Sequence, residues 1–142
     1  KNLIDTGKMR FIFRDYPLSF HAAATPAAMA AECVREQQGD NGYFAMHGKI
    51  FDGQQKLGSG TIDIPTDELK QYARDLKADM NQFLSCLETS KYRAEIENDI
   101  QQGSRYGIGG TPGFVITNGK SSKRIDGAQP YSVFEAEVQA LQ

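Results

Sequence analysis

Along the chain, the apolar positions first alternate, then fall into a helical period, then alternate again, so the pattern predicts strand, helices and strands in that order. In residues 9–14, Phe11 and Phe13 share one face and Ile12 the other, and Asp15-Tyr16-Pro17 closes a predicted strand. Before it, Asn2 to Thr6 followed by Gly7 read as the last turn of a helix stopped by a left-handed glycine. Thr25-Pro26 opens an Ala-rich helix that runs to Gln38 and stops at Gly39. Tyr43, Phe44, His47 and Phe51 recur at helical spacing in a second, shorter helix, and Gly58 to Gly60 predict a loop.

The next segments carry helix-start chemistry. Thr66 is the expected cap of a helix with Asp67 and Glu68 in its first turn and Leu69, Tyr72, Ala73 and Leu76 on one face. Asp79 with Gln82 forms a capping-box pattern before Phe83, Leu84 and Leu87. Thr89 or Ser90 is the expected cap of a third helix, which passes Tyr92, Ile96, Asp99 or Ile100 and Gly103 and ends at Gly107. After it the period returns to two: residues 114–117, the turn former Asn118-Gly119, and residues 123–125 predict an antiparallel hairpin. Pro130 starts a last helix with Tyr131, Phe134, Val138 and Leu141 on one face. Strands at both ends and helices between them give an α/β class, and a lone strand at residues 9–14 needs further strands beside it to make a sheet.

Composition narrows the possibilities. At 142 residues, 39% hydrophobic and 24% charged, the chain has the profile of one folded domain. A net charge of −2 with scattered Lys and Arg leaves no basic stripe, so nucleic acid is not an expected partner. No apolar run approaches the roughly 20 residues that span a bilayer. His21 and His47 with the two cysteines, Cys33 and Cys86, match no compact zinc spacing, and neither a metal nor another cofactor is expected. Phe44, Phe51, Phe83 and Tyr92 are expected in the core, and Arg14-Asp15 as a solvated strand end.

The densest local signal is Gly109-Gly110-Thr111-Pro112 leading into a strand at Gly113, with proline at a strand start where its missing N–H costs no ladder bond. From these residues alone a plain loop-to-strand proline and a cis proline both remain open. The string from Arg10 to Leu18 (RFIFRDYPL), Gln38-Gly39, Phe44 with His47 and Phe51, Phe83 with Cys86-Leu87, Lys91-Tyr92, residues 107–112 and Gly127-Ala128-Gln129-Pro130 stand in an order that resembles DsbA-like thiol:disulfide oxidoreductases over essentially the whole chain.

The resemblance implies a thioredoxin-like fold with a helical insertion: one domain over residues 1–142, with residues 1–20 and 107–142 as the thioredoxin portion and 21–106 as the insertion. It implies that Thr111-Pro112 is a cis-proline loop and that Gly110, Thr111 and Pro112 hold a substrate peptide like an adjacent strand. It also implies a structural disulfide between Cys33 and Cys86, the alternative being two buried free thiols. A redox thiol needs a low pKa, which a helix N-terminus and a C-x-x-C pair provide. Neither cysteine opens a predicted helix or has a second cysteine three positions away, so neither is expected to be catalytic. The chain opens on Lys1 rather than Met, and the resemblance puts the N-terminal β-α portion, with the C-x-x-C, upstream of Lys1. Gly113 departs from the β-former that many relatives carry.

The function so implied is disulfide formation or exchange in extracytoplasmic proteins, periplasmic or secreted, on unfolded or cysteine-containing substrate proteins, with a membrane redox partner that reoxidises the family's enzymes. These residues alone are expected to be inactive. The alternative is a redox-inactive thioredoxin-fold module that keeps the peptide groove. With its central strand absent, the sheet is expected to be completed by a strand swap, a dimer or a partner.

Overall fold

Between Ala27 and Val34 every side chain but Ala28 is buried and most are small, which lets other helices close on one helix from several sides. In the computed structural model, which describes residues 3–57 and 63–141, this helix is α1, Ala24–Leu57. Around it stand α2 (Thr66–Asp75), α3 (Met80–Glu88) and α4 (Arg93–Arg105). Their shared core contains Met29, Val34, Met46, Leu69, Phe83 and Ile96, with Tyr92 packed at its margin. A hairpin of β1 (Gly113–Thr117) and β2 (Ser122–Asp126) follows, then α5 (Tyr131–Ala140), whose Phe134 meets Phe114 edge to face at 4.8 Å.

The predicted stop at Gly39 is a kink: Gly39 takes φ 67° and the chain continues into a second helical run within α1. Asp79 caps α3 as expected, accepting from the Asn81 and Gln82 N–H groups, but the reciprocal bond comes from elsewhere. Gln37 of α1, rather than Gln82, accepts from the Asp79 N–H at 2.7 Å, so a tertiary contact replaces the local box. Thr66 begins α2 after Pro65 rather than capping it by its side chain, and neither Thr89 nor Ser90 caps α4, which starts after Tyr92. Thr89 instead donates to the Ser85 carbonyl and closes the end of α3. The expected helix end before Gly7 is corrected: residues 3–7 form a turn with Gly7 at φ 71°, and Asn2 and the predicted loop at Gly58 to Gly60 lie outside the described residues.

The predicted strand at residues 9–14 is corrected. The segment is extended, but no backbone bond pairs it with another strand among the described residues, and the sheet consists of β1 and β2 alone, antiparallel, with Gly113 opposite Asp126. An extended conformation becomes a strand only when a neighbour takes its N–H and C=O groups. The core assignment of Phe44 and Phe51 is corrected for a related reason: they are 44% and 52% exposed, on the same side as Phe11 and Phe13. His47 lies among these rings, 5.1 Å from Phe13 and 4.5 Å from Phe51.

Cys33 and Cys86 are joined in a disulfide that ties the first helical run of α1 to α3 across 53 positions. In the chain-entropy picture, closing a loop of that length destabilises the unfolded chain by about 4 kcal/mol. The C33A/C86A double variant is therefore expected to melt roughly 10–15 °C lower than the oxidised protein in a calorimetric scan. An unchanged Tm would show that the bridge adds nothing to the helical core.

Candidate functional site

The end of α4 delivers the chain into the loop at residues 107–112, which is held at three points. Arg124 of β2 donates to the Gly107 carbonyl at 2.8 Å, Tyr16 donates its hydroxyl proton to the Ile108 carbonyl at 2.9 Å, and the Gly127 N–H donates to the Pro112 carbonyl at 2.8 Å. Gly113 has no room for a side chain, since a β-carbon there would lie 2.6 Å from Ile108 Cγ2. Buried Ile108 therefore fills the place that a β-former at 113 would take, which explains the departure noted in the sequence. The Thr111-Pro112 peptide bond is cis.

Between these anchors the loop is open. Gly109, Gly110, Thr111, Pro112, Asp126 and Gly127 border a cavity of about 400 Å³, and a β-carbon on Gly109 or Gly110 would meet nothing within 4 Å. The Thr111 N–H and C=O bond to nothing among the described residues. Exposed main-chain groups beside a shallow cavity can pair with an extended peptide. Asp126 adds little charge there, because Arg124 pairs with it at 3.1 Å.

A buried polar cluster supports the segment leading to Tyr16. Asp15 is 7% exposed; its N–H donates to Asp99 of α4, and its carboxylate accepts from the Tyr43 hydroxyl at 2.7 Å. Arg14 pairs with the same Asp99 at 3.1 Å. The reading of Arg14-Asp15 as a solvated strand end is thus corrected: burial and α4 capture Asp15. Burial raises the Asp15 pKa, with Asp99 adding to the rise, against the lowering by bonds to Tyr43 and Glu32. Burial also pushes Glu32 up to about 7 although Arg35 beside it pulls the other way. Tyr43 is pushed up by burial and then by the Asp15 charge, and burial pushes His47 down.

The structure brings Gly110, Thr111 and Pro112 together at one cavity and holds Cys33 and Cys86 elsewhere, buried within α1 and α3 and already bonded to each other. A thiolate nucleophile cannot come from either while that bond stands. Among the described residues no group of His, Cys, Asp and Glu side chains could hold a metal ion, and no helix is long and apolar enough to cross a membrane. Sequence reasoning missed Tyr16, Asp99 and Arg124. Only Tyr16 lay within a quoted motif, and nothing in the local pattern marks the bonds of Asp99 and Tyr16 across more than 80 positions or that of Arg124 across 17.

A family model described as thioredoxin matches residues 1–139. Over 119 residues the chain is 30% identical to the Na(+)/H(+) antiporter NhaA 3 of Salinispora tropica, a match covering 83% of this chain and 17% of that protein, so the chain spans about a sixth of that relative's length. The thiol-disulfide exchange protein alpha-DsbA2 of Wolbachia pipientis has a similar structure, with a TM-score of 0.74 at 24% identity over 99% of this chain and 70% of that one. A proposed protein disulfide isomerase of Nitrosomonas europaea gives a TM-score of 0.59 at 19% identity over 97% of this chain and 67% of that one. At these identities the two structures establish a shared fold.

The Glu32 shift has a direction that can be tested. A carboxyl whose folded pKa of about 7 exceeds its ordinary value of 4.5 binds its proton more tightly in the folded state, so its contribution is fully present below pH 4.5 and declines as pH rises toward 7. Arg35, Asp15, Glu95 and Tyr43 surround the group and set the size of the effect. Urea unfolding is expected to show a loss of up to about 3 kcal/mol between pH 5 and pH 8. E32Q is expected to flatten that decline, and an equal decline in both proteins would rule out Glu32 as its source.

Proposed function

We propose, from the premise that this chain belongs to the thioredoxin family, that it is the substrate-holding part of a thiol:disulfide oxidoreductase. In this reading an extended, cysteine-containing segment of an unfolded protein lies along Gly110, Thr111 and Pro112 and bonds to the Thr111 main chain as a neighbouring strand would. The observation that carries it is the pair of Thr111 backbone groups, unbonded among the described residues, at the edge of an open cavity that glycines leave unfilled. The exchanging thiols are a cysteine pair outside these residues, since the two cysteines here are buried and bonded to each other. The structural disulfide suits an oxidising setting, periplasmic or secreted, where a membrane redox partner would renew the oxidised pair.

A second reading, a redox-inactive module that only binds peptide, is favoured by that same lack of a free thiol. In either case the sheet is open. Backbone groups of residues 10–14 make no hydrogen bond among the described residues, and Phe11, Ile12 and Phe13 are 38–56% exposed beside them. A strand from a partner, a swapped segment or a second copy would satisfy those groups and cover the rings.

Two measurements test the proposal. With dithiothreitol present, these residues are expected to leave the rate of insulin precipitation at its uncatalysed value; acceleration would mean that Cys33 or Cys86 exchanges after all. The G110L variant adds a side chain where there is space, so it is expected to keep its Tm and to bind an unstructured fluorescein-labelled peptide with one S-methylated cysteine at least tenfold more weakly. Equal affinity of the two proteins would remove the loop from the binding surface.

A further inference from the structure

The segment Arg14-Asp15-Tyr16 is held by all three of its members. Arg14 and the Asp15 N–H both bond to Asp99 of α4, the Asp15 carboxylate accepts from Tyr43 of α1, and Tyr16 extends toward the loop. There its hydroxyl lies 2.9 Å from the Ile108 carbonyl and 3.1 Å from Ser104 Oγ. A hydroxyl has one proton to donate, which goes to the carbonyl, so Ser104 is the donor in the second contact. The Tyr16 ring needs Gly103 beneath it: a β-carbon there would sit 2.8 Å from ring carbon Cε2. Ile108 is the residue whose side chain fills the space at Gly113, so a bond to its carbonyl acts on both sides of Thr111 and Pro112.

We propose that Tyr16 is a positioning residue: its hydroxyl, carried on a backbone pinned to α1 and α4, fixes where the Thr111-Pro112 edge stands relative to the helical core. It does not border the cavity at Thr111 and Pro112. Arg124 steadies the same loop at Gly107, but from the exposed hairpin that the loop itself leads into, whereas Tyr16 ties it to the buried helices. The consequence for peptide affinity rests on the peptide-holding reading given above, while the consequence for the loop does not.

The test is Y16F, which keeps the ring over Gly103 and removes only the hydroxyl. Two protected amides report the loop: Ile108 N–H, bonded to the Gly103 carbonyl at 3.0 Å, and Gly127 N–H, bonded to the Pro112 carbonyl at 2.8 Å. In Y16F, hydrogen exchange at these two, followed by NMR, is expected to be at least tenfold faster, while Leu69, Phe83 and Ile96 in the core stay within about twofold. S104A leaves the Tyr16–Ile108 bond in place and is expected to move both amides less than threefold. The labelled peptide is expected to bind Y16F three- to tenfold more weakly. Unchanged exchange at Ile108 and Gly127 would overturn the proposal, and so would a rise shared by the core amides, which would make the hydroxyl a general stabilising contact. If the unaltered protein binds no peptide but Y16F loosens the loop as described, the positioning role stands and the peptide reading fails.

Discussion

Asp99 carries the contact on which the arrangement depends. It lies buried in α4, 6% exposed, and both of its carboxylate oxygens are taken by one short stretch, by the Arg14 guanidinium and the Asp15 N–H. A buried carboxylate is tolerated only when its oxygens are bonded. The arginine end of the pair is half in water and adds little, so the buried bond to the backbone does most of the holding. Through it an extended segment with no strand partner among the described residues keeps a defined place on the helical core, and Tyr16, the next residue, reaches the loop from there.

Where local chemistry decides conformation, the fold could be read from the residues. Pro26 and the alanines after it gave a helix, Asp79 capped another, and Asn118-Gly119 turned a hairpin, with Gly119 at φ 85°. Reading failed where a distant group intervened. Gln37 took the bond assigned to Gln82, and Phe44 and Phe51 had the spacing of a core stripe but meet only the rings of Phe11, Phe13, Tyr43 and His47 and stay about half exposed. Residues 9–14 had the alternation of a strand, but alternation describes which faces the side chains take and cannot supply the neighbour that makes a ladder.

The site shows the same division. Gly110, Thr111 and Pro112 were marked by their own chemistry, a glycine pair followed by a proline at a strand start, and they border one cavity. The groups that hold the loop in place were not. Asp99 looks like any acidic residue on a helix, and the Tyr16–Ile108 bond spans 92 positions. Glu32 is similar: burial, which follows from the packing of α1, shifts its carboxyl toward neutral pH, with the charges of Asp15 and Glu95 adding to the rise.

Helical core, pinned segment and open loop together describe two edges open to added strands, with main-chain groups at Thr111 and along residues 10–14 that bond to nothing among the described residues. The measurement that bears most directly on this account is amide proton NMR of the chain with and without an extended, cysteine-containing peptide. The account requires the Thr111 N–H to shift downfield and to exchange at least tenfold more slowly in the complex, with cross-strand contacts from the peptide to Thr111. A bound peptide that leaves the Thr111 amide unshifted and unprotected would contradict it.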